Sequence, residues 1–244
     1  MTLVDVAPLI RINRKDLFSY AALSHTWGSE EVIYSDLESG ATLDQLDSKQ
    51  EGQEKLLGSV NAAKELGLKY IWADTCCIDK ANYTELAESL ASMGQWYTNA
   101  DVCVVYLGDY PVNPEEPSEY EGTRWSSRGW TLQEIVLCRK AVFYNASWTK
   151  IASSGSQSDQ DISRICSLPS DTVCLGRAPQ RAASDILSWA AKRKTTKPED
   201  GAYSLMGILD TVITIRYGEG LERALSRLIE AVVREKGDVT VFNW

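Results

Sequence analysis

A chain of 244 residues that is 44% hydrophobic can bury a large core, and its formal net charge of −9 disfavours a sequence-independent grip on phosphate backbones, which excludes nucleic acid as an expected partner. No apolar run reaches the roughly 18–20 residues that span a bilayer, and the N-terminus MTLVDVAPLIRINRK lacks the order of a secretory signal. The expectation is a soluble cytoplasmic protein with no membrane partner.

Six cysteines with no CxxC spacing, beside a single histidine, support neither a disulfide framework nor a zinc site, so no metal is expected. Short apolar pieces around residues 3–6 and 9–12 read as edge-strand material. Tyr20 to Ser24 then reads as a buried strand running into the polar, aromatic loop His25-Thr26-Trp27-Gly28. A lone histidine there is either satisfied locally or part of a site. A Ser24–His25 dyad is disfavoured, because neighbours on a strand point to opposite faces.

Residues 29–52 are acidic and punctuated by Asp36, Gly40 and Asp44, which predicts a surface loop with a short strand at Val32 to Tyr34. From Gln53, Leu56, Val60 and Ala63 fall at helical spacing and Gly67 closes the run as a C-cap. A strand over 68–73 follows, ending in a second loop from Asp74 through Cys77 and Asp79 to Lys80. Asn82 with Glu85 resembles a capping box, and Leu86, Leu90, Met93 and Tyr97 predict the next helix. Val102 to Leu107 is the clearest buried strand.

Residues 110–122 are rich in proline and acid and read as a solvated loop. An amphipathic helix then begins in RGWTLQE at 128–134, with Ser126 or Ser127 as N-cap and Leu132, Ile135 and Val136 inward. Within it Trp130 and Glu134 share a face. Their residue types suit two roles: Trp130 in the core and Glu134 paired with Arg139 or capping a neighbouring loop, or both facing a ligand together with Arg128 and Gln133. A strand at 141–144 follows, with Trp148 packed beneath it.

The polar stretch 152–164 reads as a linker between an α/β domain (1–151) and a mainly helical region (165–244) packed against it. In that region helices are expected over 183–192 and 203–209 and after Gly220, with a basic, solvated loop at 193–197 and a short apolar end at 239–242.

Strands alternating with helices predict an α/β fold, an open parallel sheet flanked by helices with a mainly helical C-terminal extension. In such sheets ligands bind beyond the carboxyl ends of the strands. That rule makes Ser24–Gly28, Asp74–Lys80 and the region after Leu107 the walls of one cleft.

YAALSHTWG at 20–28, GLKYIWADTCCIDK at 67–80, Met93 to Tyr97 with Asn99 to Asp101, and RGWTLQE at 128–134 resemble the signature blocks of fungal heterokaryon-incompatibility (HET) domains. WAAKRKTTKPEDGAYSLMGILD at 189–210 and RYGEG at 216–220 are similar to the segment that commonly follows the domain. The resemblance implies a cytosolic self/non-self recognition protein that triggers programmed cell death. HET domains are in turn similar to TIR domains, flavodoxin-like folds, many of which cleave NAD+ with a glutamate at the start of a helix.

By that analogy Glu134 is the catalytic residue. NAD+ or a related nucleotide is then a substrate and not a cofactor, which agrees with the absence of a glycine-rich dinucleotide fingerprint. The substrate-binding candidates are Ser24, His25, Trp27, Gly28, Asp74, Cys77, Asp79, Arg128, Trp130 and Gln133, with Arg128 and free N–H groups of the helix start set against a pyrophosphate. Activation by a protein partner or by self-association is implied too. A non-enzymatic signalling module is the alternative. A cysteine hydrolase built from Cys76 or Cys77 with His25 is disfavoured, because only one base exists to serve.

Overall fold

The computed structural model describes residues 2–5, 10–13, 19–38, 49–110, 123–155, 159–174 and 181–243. Gly40, Asp44 and residues 111–122 of the proline-rich loop lie outside the described residues. Seven described strands form one sheet in the order β2-β1-β4-β3-β5-β6-β7. These are β1 (Thr2–Asp5), β2 (Ile10–Asn13), β3 (Tyr20–Ser24), β4 (Tyr70–Trp72), β5 (Val102–Leu107), β6 (Ala141–Asn145) and β7 (Lys150–Ser153).

The four central strands β4, β3, β5 and β6 are parallel. The β1–β2 hairpin and β7 flank them antiparallel. The result is the expected α/β sheet, with antiparallel edges that the alternation pattern did not predict. The chain passes from β3 to β4 on one side and then crosses to β5 on the other. That is a topological switch point, where the loops after adjacent strands part and leave a crevice.

The helices are α1 (Tyr34–Glu38), α2 (Gln50–Glu65), α3 (Asp74–Cys77), α4 (Tyr83–Asn99), α5 (Trp130–Leu137), α6 (Asp159–Cys166), α7 (Ala183–Ala190), α8 (Asp200–Tyr203) and α9 (Leu221–Lys236). α2 buries the predicted Leu56, Val60 and Ala63, and Gly67 takes a left-handed φ of +77° just after it. Asn82 caps α4 by accepting from the N–H groups of Thr84 and Glu85. Glu85 does not complete a capping box; it accepts from Asp79 N–H instead, at 3.3 Å.

Three local expectations are corrected. Val32 to Tyr34 is not a strand: Val32 is buried in a loop and Tyr34 opens α1, where Asp36 accepts from Ile33 N–H at 2.7 Å. Ser126 and Ser127 do not cap α5, because their hydroxyls bond back to the carbonyls of Thr123 and Arg124 in a preceding turn. The helix expected at 203–209 is displaced toward the N-terminus as α8, followed by consecutive turns over 204–210. The stretch read as a linker holds the end of β7 and most of α6.

The predicted core is in place. Trp72 and Trp125 are fully buried, and Trp148 stacks on Tyr106 with ring centroids 4.6 Å apart. α4 meets the turn after α8 glycine to glycine. A Cβ on Gly207 would lie 2.8 Å from Gly94 Cα and 2.6 Å from Gln133 Oε1. Gly207→Ala is therefore expected to destabilise the fold by about 1–3 kcal/mol, since backbone must shift to admit the methyl. A lowered urea midpoint checks this, and an unchanged midpoint contradicts it.

Candidate functional site

α5 starts at the mouth of the crevice and is buried throughout from Thr131 to Leu137. The amphipathic helix expected from the sequence is thus enclosed on its outer side as well. The C-terminal region provides the cover. Arg193 donates to the Arg128 carbonyl at 3.1 Å, to Thr131 Oγ1 at 3.0 Å and to the Cys166 carbonyl at 3.0 Å. Gly129 N–H donates to the Lys194 carbonyl at 2.9 Å, and Lys194 N–H to the Ser127 carbonyl at 2.6 Å. The helix start is therefore partly satisfied internally, and the basic loop at 193–197 docks on it through its backbone and Arg193 while Lys194, Thr196 and Lys197 stay exposed, as expected of a solvated face.

Glu134 lies on the first turns of α5 and is 7% exposed. Ser24, at the carboxyl end of β3, donates its hydroxyl to Glu134 Oε2. The Ser24 oxygen in turn accepts from the Trp125 indole at 2.7 Å. Burial pushes the Glu134 carboxyl up to about 8, against the Ser24 hydrogen bond and with the Asp74 charge adding to the rise. Tyr97, whose phenol donates to the Leu23 carbonyl at 2.8 Å, and Arg128 moderate it.

The opposite wall is built on Asp74, at the end of β4. It accepts from Trp27 Nε1 at 2.9 Å and lies 3.1 Å from His25 Nε2, while Lys80 Nζ donates to its backbone carbonyl at 2.6 Å. Burial opposes ionisation, yet Lys80, His25 and Trp27 together hold the Asp74 carboxyl down at about 2. Burial also lowers the Lys80 ammonium, against the pull of Asp74. The Lys80 ammonium sits 3.8 Å from the centroid of the Trp27 ring. Arg124 donates to the Trp27 carbonyl at 3.0 Å, and the buried Lys55–Glu31 pair holds the backbone on either side, Lys55 donating to the Thr26 carbonyl at 3.2 Å and Glu31 accepting from Gly28 N–H at 2.6 Å.

The third wall comes from the C-terminal region. Asp200 accepts from Trp130 Nε1 at 3.1 Å and from the Tyr217 hydroxyl at 2.8 Å. Lys197 Nζ lies 3.7 Å above the Tyr217 ring, and Arg128 donates to Thr196 Oγ1 at 3.2 Å. Burial raises the Asp200 carboxyl, with Trp130 and Tyr217 opposing. Together the walls enclose a cavity of about 330 Å³, whose apolar floor is Ile78, Leu86, Leu90 and Met93.

Of the residues singled out in the sequence, His25, Trp27, Asp74, Arg128, Trp130 and Glu134 line this cavity. Ser24 stands behind Glu134 as its hydrogen-bond donor. Four others face elsewhere. Gly28 N–H donates to Glu31 at 2.6 Å, and Asp79 accepts from Ala81 N–H at 2.9 Å in its own turn. Cys77 is buried in α3 with its sulfur 3.4 Å from Ala73 N. Gln133 points to the Gly94–Gly207 contact, because one residue before Glu134 on a helix is a rotation of about 100° away.

Lys197, Asp200 and Tyr217 were missed as site residues. Their signal was the second pair of sequence blocks, which a reading by strand ends alone had assigned to support. Arg139, the alternative partner for Glu134, is exposed. Hydrogen bonding to Cys77 and burial raise the Cys76 thiol well above its ordinary value, which works against a nucleophilic thiolate. Among the described residues no three His, Cys, Asp or Glu side chains are grouped to hold a metal ion, and no helix is long and apolar enough to cross a membrane.

The family model "Heterokaryon incompatibility protein (HET)" matches residues 20–118, from β3 into the loop after β5. The chain is also 37% identical over 227 residues to "Vegetative incompatibility protein HET-E-1" of Podospora anserina. That alignment takes in 89% of this chain and 16% of the relative, so the chain spans about a sixth of that protein's length. No solved structure matches it. The loops after β3 and β4, which carry His25, Trp27 and Asp74, fall in the region matched by the family model, and the 37% likeness extends over most of the chain: this is a HET-domain heterokaryon-incompatibility protein.

Proposed function

We propose that this protein acts in fungal vegetative incompatibility as a cytoplasmic effector of programmed cell death, and that its cleft hydrolyses the nicotinamide–ribose bond of NAD+. The observation that carries the reading is the buried Glu134 at the base of a cavity walled by Trp27, Trp130 and Arg128. The similarity of HET domains to TIR domains that the sequence motifs imply supports the same reading.

Breaking the C1′–N bond sends the electron pair to the pyridinium ring, which leaves as neutral nicotinamide. Positive charge develops at C1′ and the ring oxygen, and a desolvated carboxylate beside them stabilises it far more than the same group in water. Water then adds at C1′ and releases a proton, giving ADP-ribose. Glu134 supplies the carboxylate, Ser24 and Trp125 hold its orientation, and no histidine base is required.

Purified protein, dilute and concentrated, is expected to release nicotinamide from NAD+, with the concentrated sample faster per molecule if self-association activates it. Because the acid must be ionised, kcat/KM should rise about tenfold per pH unit below about 8 and level off above it. A flat profile between pH 6 and 9 contradicts this role for Glu134. Folded protein that is silent at every concentration would favour the alternative, a non-enzymatic signalling module that acts through a protein partner.

A further inference from the structure

The cavity has an order of charge from depth to rim. Glu134 and Asp200, 7% and 9% exposed, place two carboxyl groups deep in it, with Trp130 held between α5 and α8 by its bond to Asp200. Lys197 and Thr196 are exposed at the mouth, and Arg128 is half-buried beside them. Among the described residues neither Arg128 nor Lys197 has a carboxylate partner: Arg128 donates to the Thr196 hydroxyl, and Lys197 rests on the Tyr217 ring. Asp74 adds a third carboxyl group to the lining, accepting from Trp27, and the one ammonium inside, Lys80, is taken up by the Asp74 carbonyl and the Trp27 ring. A cleft that is rich in carboxyl groups and aromatic inside, with uncompensated cations at the rim, fits a ligand with the reverse polarity, a cationic aromatic ring joined to an anionic group.

Size limits how much of such a ligand is enclosed. At about 330 Å³ the cavity is at the small end of the ~300–1,000 Å³ typical of small-molecule sites. A dinucleotide is two mononucleotides joined through a pyrophosphate, and a cavity this small suits one of them. The positively charged nicotinamide ring belongs with the deep carboxyl groups and the Trp130 face; adenine carries no such charge. Its phosphate then falls at the rim.

We propose that the cleft encloses only the nicotinamide mononucleotide half of its substrate, ring inward and phosphate at Arg128 and Lys197, and leaves the adenosine half outside. This rests on the reading of the cleft as a nicotinamide-nucleotide site. It makes the segment after the HET domain a part of that site, since Lys197, Asp200 and Tyr217 all come from it. The consequence is indifference to the adenosine end: NAD+ and free nicotinamide mononucleotide are equivalent ligands, and the riboside without phosphate is a poor one.

Calorimetric titration of the Glu134→Gln protein with NAD+, nicotinamide mononucleotide and nicotinamide riboside tests this without consuming the ligand. The expected result is a Kd for the mononucleotide within about threefold of that for NAD+, and at least about tenfold weaker binding of the riboside. Lys197→Ala should narrow the mononucleotide-to-riboside ratio by about tenfold, and Lys197→Arg should restore it. NAD+ binding about tenfold or more tighter than the mononucleotide, or equal binding of mononucleotide and riboside, overturns the inference and leaves the function standing. Binding of none of the three by folded protein overturns the nicotinamide-nucleotide reading itself. The predicted order of affinities without nicotinamide release from the wild type would retain the site and reject the hydrolysis.

Discussion

Glu134→Gln is expected to lower kcat for nicotinamide release by about 10³-fold, with ligand affinity changed far less. Glutamine keeps the size of the side chain and an oxygen to accept the Ser24 hydroxyl, so the buried hydrogen-bond chain from Trp125 through Ser24 stays intact. What it lacks is the negative charge that meets C1′ as the bond to nicotinamide lengthens. A carboxylate in a site 7% exposed acts through little solvent, which is why the loss should be large. Chromatographic measurement of nicotinamide from saturating NAD+ decides the matter. Unchanged release by the variant would sink the assignment of Glu134.

The same burial has a stability consequence of opposite direction. The Glu134 carboxyl is raised from 4.5 to about 8 in the folded protein, so folding favours its protonated form. Its contribution to stability is fully present below pH 4.5, declines as pH rises, and is gone above about pH 8. The amount is roughly 3–5 kcal/mol over that window. Asp74, held at about 2, works the other way: it contributes above its unfolded value of 3.8 and loses that contribution as pH falls through about 2. Its window lies below that of Glu134, so the two do not cancel.

Urea midpoints of the wild type should therefore fall relative to Glu134→Gln between pH 5 and 9, with the variant the more stable protein at the alkaline end. Parallel pH profiles for the two proteins would show that Glu134 is not the group concerned. A site more stable without its acid is what a carboxylate kept in a dry crevice for its chemistry entails.

Much of this was legible in the sequence. Strands at 20–24 and 102–107, helices at 83–99 and 221–236, and the rule that ligands sit at strand ends followed from apolar runs, caps and glycines, because those signals act over a few residues. The strand-end motifs named the residues of two walls of the cleft, His25, Trp27 and Asp74 on one and Arg128, Trp130 and Glu134 on the other. Which neighbour of a motif residue faces the cleft was not legible. Gln133 and Glu134 are equally polar in the sequence, and only the rotation of α5 sends one to the Gly94–Gly207 contact and the other to Ser24.

The sequence by itself determined the α/β class, the positions of the strand-end loops, and RGWTLQE as the segment that carries the acid. Tertiary structure decided the rest. It buried α5 on its outer side, turned the basic loop at 193–197 into a clasp through Arg193, and brought Lys197, Asp200 and Tyr217 to a cleft whose other walls lie about 65 or more residues earlier in the chain. Periodicity and capping report what a residue meets within a turn or a strand. The perturbation of Glu134 and the charge order of the cleft arise from desolvation, which depends on every segment that closes over the site.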